Sequence, residues 1–99
     1  MKKKQRQYHH FKNEELWSLD VTIAKFMLPR LKRFKKCTNR YPADLTVKQW
    51  DTILDKMIFS FDFIAGPKMW DVKYMGNEKT WKKVNEGLKL FAEWFNSLW

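Results

Sequence analysis

From Leu16 to Lys36 the chain reads LWSLDVTIAKFMLPRLKRFKK, with apolar residues returning every three or four positions. That spacing commits the stretch to one long helix. Leu16, Ile23, Ala24, Met27, Leu31 and Phe34 share a face, with Trp17 and Leu28 on its flank. Pro29 falls on the opposite side, where it removes one backbone hydrogen bond and is expected to kink the helix. The second half wraps its apolar strip in Arg30, Lys32, Arg33, Lys35 and Lys36, so this helix is core and basic surface at once. Asp20 falls at the centre of the apolar face, where a buried carboxylate needs a cation or hydrogen-bond donor. Lys25 or Arg30 of the same helix, Lys56, Lys83 or a Trp indole N–H are the expected partners. Asn13, followed by Glu14 and Glu15, is one candidate helix cap, and Ser18 is the other.

Two further helices follow. Pro42 stops the first from continuing, and Thr46 with Gln49 three residues on forms a capping-box pattern. Val47, Trp50, Leu54, Met57, Ile58, Phe61 and Ala65 then mark the second apolar face. Gly66 and Pro67 end it, glycine being suited to a left-handed cap. The third helix is expected to begin near Asn77 and run to the end, with Trp81, Val84, Leu88, Phe91, Phe95 and Leu98 on a heptad-like seam. Gly87 lies in that seam, where a missing side chain lets another backbone approach. Leu90, Trp94 and Trp99 add apolar width that suggests a homo-oligomer contact. The predicted fold is all-α: a small three-helix bundle with a kinked first helix, a basic N-terminal arm and an aromatic loop, PKMWDVKYMGN, between helices two and three. Residues 1–12 form the arm, expected to be mobile, and 13–99 one helical domain.

Charge narrows the function. The net charge is +9, and residues 1–40 carry all of it, with twelve Lys or Arg against three acids, whereas residues 41–99 sum to zero. Such a field attracts anions: nucleotides, nucleic acid or an acidic protein face. Seventeen aromatics in 99 residues exceed the needs of one modest core, so some belong to a recognition surface. A single cysteine, Cys37, excludes an internal disulfide and fits a reducing compartment. The start MKKKQRQYHH lacks the apolar run of a signal peptide, and no stretch has the length of a membrane span.

The residues do not point to an enzyme. His9 and His10 are adjacent in the basic arm, with no companion for a metal site or a triad. Asp51 and Asp55, one helical turn apart, have no histidine beside them and read as a solvated flank. No metal or cofactor is expected. Instead, Lys25, Arg30 and Arg33 are the candidate phosphate ligands, and Trp17, Trp50 and Tyr41 the candidate stacking rings, with Asp20 orienting a cation.

The segments WSLDVTIAKFMLPRLKRFKK, YPADLTVKQWDTILDKMIFSFDFI and EGLKLFAEWFNSLW together resemble a group of small helical proteins encoded by tailed bacteriophages. The resemblance runs from Trp17 onward, leaving out the arm and the loop around Trp70. It implies expression in the cytoplasm of an infected bacterium and an accessory role in host takeover or defeat of host defence, by occluding a defence protein or sequestering its nucleotide messenger. Together with the cations and rings above, the expected function is non-enzymatic: antagonising host defence by sequestering an anionic, nucleotide-type signal. The alternatives are a nucleic-acid-binding protein and a protein–protein inhibitor of a host enzyme. No site residue comes from the resemblance.

Overall fold

The computed structural model describes residues 16–37, 40–66 and 77–99. Three helices account for most of them: α1 Leu19–Cys37, α2 Val47–Ala65 and α3 Glu78–Glu93, followed by a 3-10 turn at Phe95–Ser97. The protein is all-α, a small three-helix bundle built around α2. This helix packs on both of its neighbours, while no Cα of α1 comes within 8 Å of one in α3. The arm, the Asn13 cap and the aromatic loop lie outside the described residues.

The central position of α2 decides its burial. A helix flanked on two sides must be apolar around more of its circumference than a surface helix. Accordingly Trp50, Leu54, Met57, Ser60, Phe61, Phe63 and Ile64 are all buried, a wider arc than the single face the spacing suggests, and Val47 lies outside it. Its start is the predicted capping box: Thr46 Oγ1 accepts from Gln49 N at 3.1 Å, and Thr46 N donates to Gln49 Oε1 at 2.8 Å. Its end differs in kind from the expected left-handed cap. Gly66 is extended, at φ −94°, and its N–H donates to Asp62 O.

α1 begins after Ser18, whose carbonyl accepts from Thr22 N at 3.0 Å. Asp20 therefore sits in the first turn, where backbone N–H groups lack helical partners. It is exposed and accepts from Val21 N at 2.8 Å, so the expected buried, cation-paired carboxylate is corrected: Asp20 lies one turn ahead of Ala24, where the buried stretch begins. Pro29 lies within the helix on its exposed side. One residue on, Arg30 Nη1 donates to Phe26 O at 2.8 Å, beside the Lys25 carbonyl that Pro29 leaves without a helical N–H.

α3 starts where predicted, with Asn77 Oδ1 accepting from Thr80 N, but does not continue to the end. It stops at Glu93, and the chain tightens into the 3-10 turn, with Ser97 N donating to Trp94 O at 2.9 Å. Its seam faces α2. At Gly87 it lies close against the α2 backbone, and beside it Ser60 Oγ donates to Val84 O at 2.7 Å and to Lys56 O at 3.2 Å. Edge-to-face ring pairs run along the same interface: Phe63 with Trp81, Phe61 with Phe91 and Trp50 with Trp94. The apolar width of α3 is thus largely taken up by α2, leaving Phe95 and Trp99, beyond its end, exposed.

Two ion pairs tie the flanking helices to α2: Lys35 to Asp55 at 2.7 Å and Lys56 to Glu86 at 2.8 Å. The hydrogen bond from Lys56, and then its charge, hold the Glu86 carboxyl below the ordinary glutamate range. A lowered carboxylate stabilises the fold above its unfolded value, about 4.3, and that contribution is lost as pH falls through the folded one. Lys56→Met should therefore lower Tm slightly at neutral pH and flatten its fall on the acid side, as thermal melts from pH 7 downward would show. Lys35 has the opposite sign. Its hydrogen bond to Asp55 raises it above the ordinary lysine value, so its contribution is complete below that value and fades in alkali.

Candidate functional site

The six candidate ligand residues do not converge. Trp17 precedes α1 and Tyr41 follows it, and a helix of 19 residues is about 28 Å long. A small ligand cannot bridge that distance. Arg30 folds back on its own helix, its guanidinium 3.8 Å from the Phe26 ring centre, and Arg33 Nε donates to Cys37 Sγ at 3.0 Å. Lys25 is exposed on α1, and the ring of Trp17, 77% exposed, stands in solvent. Trp50 corrects the expectation most clearly: only 2% exposed, it belongs to the core and offers no face to a ligand. The ring sits in the core of the bundle, edge-on against Trp94 beyond the end of α3. Tyr41 alone of the set lines a described cavity.

That cavity, of about 420 Å³, is bounded by Arg40, Tyr41, Pro42 and Ala43 on the α1–α2 connector and by Ser97 and Trp99 after α3. Two local structures hold its walls. On the connector, Leu45 N donates to Pro42 O at 3.0 Å, and the capping box at Thr46 anchors the turn to α2. Across from it, Trp94 is seated edge-on against buried Trp50, with ring centres 6.0 Å apart. The 3-10 turn built on the Trp94 carbonyl then carries Ser97 and Trp99 to the connector. Arg40 closes the gap, its guanidinium 4.8 Å from the centre of the Trp99 ring.

Chemically the lining offers the Arg40 cation, the Ser97 hydroxyl, the Tyr41 phenol and the Trp99 indole. Tyr41 is about half exposed and Trp99 is 71% exposed, so both rings retain area for a flat ligand. The volume lies within the range of small-molecule sites, roughly 300–1,000 Å³. Arg40 and Trp99 were missed by sequence reasoning as a pair because nothing in the spacing shows α3 stopping at Glu93. The weak signal was NRYPAD, a cation and a ring in a turn.

Elsewhere the basic half of α1 meets α2 at a shallower cavity of about 310 Å³, lined by Lys32, Lys35, Lys36, Asp51, Asp55 and Ile58. Its cations face two carboxylates, one of them the Lys35 partner. No group of three metal-ligating side chains occurs among the described residues, and none of their helices is long and apolar enough to cross a membrane. No protein-family model matches the chain, and comparison with curated proteins and with solved structures finds none similar to it.

Proposed function

We propose that this is a non-catalytic binding protein that takes a phosphate-bearing, nucleotide-type anion in the cavity between the connector and the C-terminal turn. The juxtaposition of Arg40, Tyr41 and Trp99 around one opening carries this reading. Arg40 holds the phosphate, already oriented by the Trp99 ring. Tyr41 and Trp99 stack on the base, and the Ser97 hydroxyl supplies a further hydrogen bond. In the phage setting implied by the resemblance, such a protein acts by sequestering a host signal molecule in the bacterial cytoplasm.

Calorimetric titration with a panel of mono-, di- and cyclic nucleotides tests this directly. We expect at least one ligand with Kd below about 10 μM. Arg40→Ala should weaken it by roughly 10- to 100-fold, the value of a charge-assisted contact, and Trp99→Ala by about 10-fold or more. Lys25→Ala should leave it unchanged. A panel without a hit sinks the reading.

The second reading is nucleic-acid binding along the basic half of α1, favoured by Lys32 and Lys36 lining one surface beside Lys35. Its mark is affinity that falls by roughly one log unit per phosphate neutralised per log of salt and that is indifferent to Arg40→Ala.

A further inference from the structure

Beside the contact between α2 and α3 runs a groove that the bundle leaves open. Thr52, Lys56 and Phe59, spaced four and three apart, make one stripe of α2, with Asp55 on its edge, and Lys83 and Glu86 lie one turn apart on α3. Together these side chains line a cavity of about 400 Å³, within the range of small-molecule sites. The two helices run antiparallel, with Lys56 paired to Glu86 at 2.8 Å and the Phe63 ring against Trp81 further along, so Lys83 comes level with Phe59. From Thr52 to Phe59 the stripe is about 10 Å long. No side chain is shared with the Arg40 cavity.

We infer that this groove is a second binding site, one for a small aromatic carboxylate, with the ring of the ligand on Phe59 and its acid group between Lys56 and Lys83. Ring, charge and length each select that chemistry. Phe59 is 42% exposed and keeps ring area that the core does not take. An aliphatic ligand would cover that ring without the gain of an aromatic pair. Cations outnumber acids around Glu86. The hydrogen bond from Lys56 lowers its carboxyl most, and the charges of Lys82 and Lys83 lower it further, so three lysines attend one carboxylate. The other lining acid, Asp55, is matched by Lys35 of α1 at 2.7 Å. This surplus favours an anion over an aromatic cation. A long, multiply charged phosphate chain is disfavoured, because a groove of about 10 Å sets it against both Asp55 and Glu86.

Nitrogen–proton correlation spectra of the full chain titrated with naphthoate test this. Shifts should gather at residues 52–59 and 83–86 and fit a Kd of about 100 μM, in keeping with a ligand of about a dozen heavy atoms. Phe59→Ala should weaken binding about tenfold and Lys83→Gln about threefold, both at exposed positions and with unchanged far-UV dichroism. Arg40→Ala should leave these shifts as they are. Cyclohexanecarboxylate has the charge without the aromatic ring, and naphthylmethylamine has the ring with the opposite charge. Each should bind about tenfold more weakly than naphthoate. Silence at residues 52–59 and 83–86 up to about 5 mM naphthoate overturns the proposal. So does an amine that binds there as tightly as the carboxylate, or a Phe59→Ala protein with undiminished affinity.

Discussion

Gly87→Ala should cost the protein about 3–4 kcal/mol, a large share of the stability of a domain this size. A β-carbon there would stand 1.9 Å from Ser60 Oγ, 2.2 Å from Lys56 O and 2.9 Å from Ser60 Cβ. Two of these are side-chain atoms, but the Lys56 carbonyl is backbone inside α2 and cannot turn away. α3 must therefore move off α2, and Ser60 loses its 2.7 Å bond to Val84 O in a buried setting. Alanine's better helix propensity returns only about 1 kcal/mol, so packing wins. Thermal unfolding should fall by roughly 12–32 °C. Adding Ser60→Gly relieves the hydroxyl contact but not the carbonyl one, so the double variant should recover less than half of the loss. A Gly87→Ala protein melting within a few degrees of wild type would mean that the two helices are not in contact at this point.

The second large effect is expected at Trp50, and its size depends on the replacement. Trp50→Ala removes the largest fully buried side chain from the core and should destabilise by about 3–5 kcal/mol. Trp50→Phe should cost under about 1 kcal/mol, because two terms oppose each other. Volume is lost, but Trp50 Nε1, which has no hydrogen-bond partner among the described residues, is removed as well. An unsatisfied buried donor carries a penalty of about 1–3 kcal/mol. Phenylalanine also keeps an edge-on ring against Trp94. Urea titrations of both variants check this, and a Phe variant as unstable as the Ala one would show that the indole N–H is engaged. Trp50→Ala should additionally weaken ligand binding, since Trp94 and the turn beyond it lose their seat.

Fold and site were legible in the sequence to different degrees, for physical reasons. Helix signals are local, so Thr46 with Gln49, Asn77 and Gly87 announced two starts and one close approach from sequence alone. Burial is not local. Asp20 lies on the apolar meridian of α1, yet it is exposed because the packed stretch begins one turn later, which no periodicity records. Trp50 reads equally well as a recognition ring or a core ring until the position of α2 between two helices is known. The end of α3 was invisible for a similar reason. The seam continues through Phe95 and Leu98, but edge-on seating of Trp94 against Trp50 turns the backbone after Glu93. That turn brings Trp99 to Arg40 and makes the cavity, so the candidate site depends on the one local feature that the pattern concealed.

Nitrogen–proton correlation spectra recorded during titration with the tightest-binding nucleotide test the placement of the ligand most directly. Amide shifts concentrated at Arg40, Tyr41, Ala43 and Ser97 to Trp99, with the Trp99 indole among the largest and the amides of Lys25, Arg30 and Arg33 unmoved, are the predicted result. Shifts spread along α1, with residues 40–43 and 97–99 silent, would contradict it.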